Sequence, residues 1–300
     1  MGRTLAQAHP EIADLYRRAN EIVGFDLARL CFEGPAEELD TTEISQPAIF
    51  TTSAACLLAL RSGYLAPELK DVQPDACAGL SLGEYTALYA AGAMDFDDAL
   101  RLVRIRGRSM QQAANEQKGT MVSVLGLDEA QVDDICRQVL AEKPAEADGR
   151  QPVLAPVNFN CPGQIVLSGT LSACRMAQEQ AEKAGAKAVP LRVAGAFHTV
   201  MMHSAAERLR EGLAQCRLQA PRCPVIANVD AALYDGLTSI SAKLLAQLVS
   251  PVRWQQSVEK LIAGGAQQFV EIGPGRVLTG LVKKISRGSD KKVAIINVSA

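Results

Sequence analysis

Residues 119–193 change their apolar periodicity in a fixed order, and that order restricts the fold more than any other feature of the chain. GTMVSVLGL reads as a strand and DEAQVDDICRQVL as a helix. PVLAPVNF and QIVLSG then read as two strands joined by NCPG, followed by a helix in LSACRMAQEQAEKAG and a strand in KAVPLRV. The hydrophilic EKPAEADGR, residues 142–150, reads as a solvated loop between these elements.

This β-α-β-β-α-β order is the split pattern of a ferredoxin-like unit. It reads as an insertion, because a different pattern stands on both sides of it. Before it come helical stretches over residues 3–23 and in QPAIFTTSAACLLALRSGYL, with a PAEEL turn between them. The strand-like DACAG follows, then a short helix at 84–91 and the amphipathic DFDDALRLVRIRGRSMQQA. After the insertion come the strands PVIANVD and QQFVEIGPG. The fold class expected is α/β. A hydrolase-like core with a parallel sheet is formed by 1–118 and 194–300, and 119–193 form an inserted ferredoxin-like small subdomain. Ligands of open α/β sheets gather beyond the carboxyl ends of strands, which places Ser81 and residues 273–275 near a site.

Composition narrows the function. With 300 residues, 48% apolar content and net charge -2, the chain has enough material for a sizeable core. Its 31 basic and 33 acidic residues are interspersed, without a basic block to neutralise a phosphate backbone, so nucleic acid is not an expected partner. The eight cysteines never form C-x-x-C and sit mostly in apolar stretches, the usage of a reducing cytoplasm. No apolar run is long enough to span a bilayer, so no membrane partner is expected either.

AGLSLGEYTAL places Ser81 in G-x-S-x-G at a strand-to-helix junction. A nucleophile on such a turn holds its Oγ clear, with glycines where side chains would collide, and the Leu82 N–H points at a developing oxyanion. The competing reading is a helix N-cap serine, with Glu84 completing a capping box. A serine needs a base within reach, and there are three histidines. His9 lies in a polar helix, His203 at a helix start in MMHSAAERL, and His198 in VAGAFHTVMM, where the chain leaves the insertion. That position puts His198 ahead of His203. In the following helix Arg106 falls on the apolar stripe of Ala99, Leu102, Val103 and Met110, whereas Arg101, Arg104 and Arg108 lie on faces that solvent explains. An inward guanidinium needs an anion. Either one of the protein's own acids supplies it, or a substrate carboxylate does.

Taken together, FEGPAEELDTTEISQPA, SLGEYTAL with AGAMDF, RGRSMQQA, APVNFNCPGQIVLSG, GAFH, SPVRWQQSVE and FVEIGPGRVLTGLVKK resemble, nearly end to end, the malonyl-CoA:acyl carrier protein transacylases and related acyltransferase domains. The resemblance implies ping-pong transfer. Ser81 takes a malonyl group from coenzyme A, His198 acts as base and then acid, and the phosphopantetheine thiol of an acyl carrier protein removes the acyl group. It implies that Arg106 holds the malonyl carboxylate, that the Gln247 main-chain carbonyl orients His198, and that Asn228 stands near the histidine. Phe197 matches the malonyl-selecting form of its motif, in which an aromatic ring crowds an α-methyl group. The coenzyme A thioester is substrate, and neither a metal nor a further cofactor is called for. The protein is expected to act as a monomer, with Lys283, Lys284 and Arg287 as loose candidates for meeting an acidic carrier.

Two positions depart from the family. Leu80 stands where relatives usually have histidine. Relatives also open with an apolar strand and a P-G-Q-G-x-Q turn that supplies a second oxyanion donor, and MGRTLAQAHPEIADLY resembles only the helical stretch beyond that turn. The expectation from this is that Met1 is internal to the natural protein and that the chain as given is a weak catalyst or poorly stable. Two competing readings accompany the acyltransferase: a serine thioesterase or hydrolase, with water as acceptor, and a catalytically impaired carrier-binding module.

Overall fold

The structure is a computed structural model that describes residues 1–142, 145, 146 and 149–300. The expected loop at 142–150 falls partly outside them. Four strands, β1 (Gly119–Leu125), β2 (Leu154–Cys161), β3 (Gln164–Thr170) and β4 (Lys187–Pro190), form an antiparallel sheet in the order β2-β3-β1-β4. The last strand is shorter than KAVPLRV suggests. Because side chains alternate along a strand, the sheet has two distinct faces. One carries Val122, Val124, Ile165 and Leu167 into a core shared with the Glu129–Glu142 and Leu171–Lys183 helices. The other presents Met121, Val157 and Val166, on which Leu191, Val193 and Phe197 pack. The second face therefore supports the loop that carries His198.

The rest of the described chain is built mainly of helices. The Phe96–Glu116 helix lies between the Thr42–Arg61 and His203–Gln215 helices, and the latter also meets the Leu237–Val249 helix. Asp95 caps the central helix by accepting from the Asp98 N–H, and Asp97 and Asp98 complement its positive end. The expected helix over 3–23 is two helices, Arg3–Ala8 and Pro10–Val23. Pro10 has no N–H to continue the first and forces the preceding His9 into an extended conformation, with φ -132° and ψ 111°. Among the described residues, parallel pairing is confined to β5 (Gln268–Ile272) with β6 (Ala294–Val298) and to isolated bridges such as Cys77 to Val225. DACAG and PVIANVD thus meet at a bridge rather than forming full strands, and AIINV supplies a strand that the sequence reading did not anticipate.

All eight cysteines are free, five of them buried. No helix among the described residues is long and apolar enough to cross a membrane.

Candidate active site

The reactive turn begins with a close approach. A Cβ on Gly79 would lie 2.0 Å from the carbonyl carbon and oxygen of Gly83, so the turn closes only with glycine there. Gly83 itself faces open space, and the expected collision applies to the first glycine alone. Ser81 adopts φ 52°, a left-handed conformation unfavourable for a residue with a Cβ, and His198 is similarly held at φ 62°. The α-helix starts at Gly83 with no side-chain cap. Ser81 is therefore not the N-cap of a capping box. Its Oγ lies 2.8 Å from His198 Nε2.

The second ring nitrogen settles the proton positions. His198 Nδ1 lies 2.7 Å from the Gln247 main-chain oxygen, which only accepts, so Nδ1 carries the hydrogen and Nε2 is a bare acceptor. Arg106 Nη2 donates to Ser81 Oγ at 2.9 Å, leaving the hydroxyl hydrogen to point at His198. Burial, and secondly the charge of Arg106, push His198 down to about 4 against the support of the Gln247 carbonyl. The imidazole is neutral at pH 7 and available as a base.

Arg106 is 1% exposed, and the apolar stripe around it is buried as the periodicity predicts. Its Nη1 donates to Gln46 Oε1 at 2.6 Å and its Nη2 to Gln247 Oε1 at 3.1 Å. The guanidinium carbon stands 5.4 Å from the centre of the Tyr85 ring. Nε is buried without a hydrogen-bond partner. None of the ion pairs among the described residues involves Arg106, and its hydrogen-bond partners are all neutral oxygens. Of the arginines assigned to solvent, Arg101 and Arg108 are exposed, but Arg104 is half-buried and donates to the Ile22 carbonyl at 2.9 Å.

Asn228 and Gln247 frame Ser81 from two sides. Asn228 Oδ1 accepts from the Ser81 N–H at 2.6 Å, while its Nδ2 donates to the Gly79 carbonyl at 2.7 Å. Gln247 Nε2 donates to the Ser81 carbonyl at 2.8 Å. Both residues also reach Glu84, which sequence reasoning considered only as a capping residue. Glu84 is fully buried and accepts from the Asn228 N–H, Gln247 Nε2 and the Tyr234 hydroxyl. Burial drives its carboxyl up to about 7, opposed by those three bonds and by the charge of Arg106. Its neighbours in GEYTALYA are almost all apolar, so the inward-charge argument that found Arg106 applies equally to Glu84. Gln46 was missed because an amide in a helix start carries no charge to mark it.

Leu82 comes directly after the serine, and among the described hydrogen bonds none engages its N–H. Phe197 is half-buried, its carbonyl accepting from Ser168 Oγ of β3 at 2.8 Å. The other two histidines lie apart from this network. His203 is exposed at the start of its helix, and His9 stacks on Tyr64 with centroids 3.6 Å apart at the break between two helices. Lys283, Lys284 and Arg287 are exposed on the Val277–Ser286 helix and at its end.

This geometry has close counterparts. The family model of the acyl transferase domain matches residues 1–297. The malonyl CoA-acyl carrier protein transacylase of Bacillus subtilis is 44% identical over 288 residues, spanning 96% of this chain and 86% of the relative. That of Escherichia coli K12 is 40% identical over 283 residues, spanning 94% and 86%. A solved complex of a type II polyketide synthase acyl-carrier protein with its malonyl-transacylase aligns with a TM-score of 0.89 at 37% identity, covering 100% of this chain and 91% of that one. The chain belongs to the acyl transferase domain family.

Proposed function

We propose that the protein transfers a malonyl group from malonyl-CoA, through an ester on Ser81, to the phosphopantetheine thiol of an acyl carrier protein in fatty-acid or polyketide synthesis. The names of the relatives support the substrate pair. The observation that carries the reading within this chain is Arg106, a buried cation whose hydrogen-bond partners are neutral and whose Nη2 lies 2.9 Å from the serine oxygen. Glu84 offsets part of this charge through space without touching it, and the guanidinium fork, paired with no carboxylate, matches one. Malonyl presents that carboxylate; acetyl does not.

The hydrogen bonds set the order of the steps. Ser81 Oγ attacks the thioester carbonyl as its proton passes to His198 Nε2, with the oxyanion facing the Leu82 N–H. Collapse breaks the C–S bond, and the departing coenzyme A sulfur takes the proton back from His198. The carrier thiol then gives its proton to His198, attacks the ester carbonyl, and Ser81 leaves reprotonated. A malonyl carboxylate on Arg106 also offsets the charge that depresses His198, so binding substrate strengthens the base. Phe197 crowds the α-carbon and disfavours a methyl branch. The chemistry is carried by side chains, with no metal or additional cofactor.

Residues 119–193 are read as a ferredoxin-like small subdomain set into a hydrolase-like large one, 1–118 with 194–300. The β2-β3-β1-β4 order and the two helices on one face support that division. Eight free thiols support a cytoplasmic setting, and the protein is taken to act as a monomer. Lys283, Lys284 and Arg287 offer exposed positive charge to an acidic carrier.

The test is intact-mass detection of a malonyl adduct after mixing with malonyl-CoA, absent in Ser81→Ala, together with coenzyme A release with and without holo carrier. Release accelerated by the carrier is expected. Release at the same rate with water alone would make the protein a thioesterase.

A further inference from the structure

A serine in the left-handed region relaxes unless its surroundings hold it there. In this turn the Ser81 peptide is gripped at both polar atoms by side-chain amides, its N–H by Asn228 Oδ1 at 2.6 Å and its carbonyl by Gln247 Nε2 at 2.8 Å. Both grips lead back to one carboxylate. Glu84 Oε1 accepts the Asn228 main-chain N–H at 3.1 Å, and Glu84 Oε2 accepts Gln247 Nε2 at 2.5 Å. The main-chain oxygen of the same Gln247 orients His198.

We propose that Glu84 is a positioning residue that anchors both amide grips on Ser81, and thereby holds the serine in its strained conformation and in line with His198. The inference rests on reading Ser81 as the nucleophile. The Glu84 main-chain N–H donates to the Ser81 carbonyl at 3.2 Å whatever the side chain, and the carboxylate touches neither Ser81 Oγ nor the His198 ring, so the side chain acts through Asn228 and Gln247. Its third partner, the Tyr234 hydroxyl, is the only one able to reverse donor and acceptor roles. A proton on Glu84 therefore leaves both grips intact. A glutamine at this position does not, because its amide nitrogen must face either the Asn228 N–H or Gln247 Nε2, and one grip is lost in either orientation.

The role differs from that of Arg106, and the difference is measurable. Loss of a grip slows attack by Ser81 on every electrophile alike, whereas loss of Arg106, which also touches Ser81 Oγ and Gln247 Oε1, falls far more heavily on acyl groups that carry a carboxylate. In Glu84→Gln we expect the rate of Ser81 phosphorylation by diisopropyl fluorophosphate, read by intact mass and absent in Ser81→Ala, to fall about tenfold or more. Acylation by malonyl-CoA and by acetyl-CoA should fall by the same factor, with KM for malonyl-CoA unchanged. Gln247→Met keeps the main-chain carbonyl that orients His198 but removes one grip. It should lower fluorophosphate reactivity in the same direction, and it provides the measurement if Glu84→Gln does not fold. Wild-type fluorophosphate reactivity in both variants would overturn the proposal, as would a loss confined to malonyl-CoA. A wild-type protein that reacts with fluorophosphate but does not transfer malonyl would sink the proposed function while leaving the role of Glu84 standing.

Discussion

Two of the sharp turns into helices among the described residues have a glutamate beside them. At Gly79–Gly83 the left-handed residue is a serine, and the supporting Glu84 is fully buried among amide donors. At the second turn the positive φ values belong to Gly273 and Gly275, at 134° and 88°. There Glu271 is only half-buried and accepts from the Leu278 and Thr279 N–H groups at 2.9 and 2.8 Å, capping the next helix. A glycine reaches such angles without steric penalty, so half-buried partners suffice. A side chain at the same angle needs a network of polar groups withdrawn from water. Reactivity at Ser81 is thus bound up with fully buried polarity, whereas the glycine turn is held by a half-buried pair, Glu271 and Asn297, whose Nδ2 donates to the Gly275 carbonyl at 2.9 Å and to Glu271 Oε2 at 3.2 Å.

Substitutions can break this contrast, and Gly79→Ala should have the largest effect. Its Cβ meets backbone at 2.0 Å, which cannot move aside, so we expect a loss of about 3 kcal/mol or more in stability, read by denaturant unfolding, and loss of the acyl adduct. Gly275→Ala, whose Cβ meets nothing within 4 Å, should lose only about 1–2 kcal/mol, the conformational term alone.

Arg106→Ala should lower kcat/KM for malonyl-CoA on the order of 10²- to 10³-fold, with a much smaller effect on acetyl-CoA. Its pH profile carries a second prediction. Wild-type kcat/KM falls on the acid side as pH drops through the His198 value of about 4, because the protonated ring is no base. Removing the Arg106 charge removes one cause of that depression, so the acid limb should move to higher pH. An unmoved limb would show that Arg106 and His198 are not electrostatically coupled.

Ser81→Gly should stabilise the fold by about 1 kcal/mol, since it relieves the left-handed strain, while abolishing the adduct. A lower melting temperature would mean that φ 52° is not strained in this setting. The smallest effect is expected from Glu271→Ala, which removes a helix cap at a cost of about 1 kcal/mol and leaves acyl transfer unchanged.

Much of this was legible in the sequence where the signal is local. The β-α-β-β-α-β order survives as written because its elements pack on one another within that one stretch of chain. Ser81 declared itself by its glycines, and Arg106 by a charge on an apolar stripe. The positions of Asn228 and Gln247 came from resemblance, since a neutral amide gives no periodic signal. Glu84 was obscured by a plausible local use as a cap, although its apolar neighbours marked it for burial, and the partners it holds lie 144 and 163 residues away. The parallel strands were the least legible part. DACAG and PVIANVD have strand composition, yet their pairing is decided by distant segments.

Phe197 and His198 are consecutive residues on one loop, fastened to β3 through Ser168. On the proposed function, acyl size and proton transfer are set by neighbouring links of a single tether. A change of side chain at Phe197 is expected to pull on the peptide that leads into His198, already held at φ 62°. Broadening the range of accepted acyl groups at this position therefore trades against turnover. Variants that restore speed should be sought in the Ser168 and Gln247 anchorages rather than in the pocket wall.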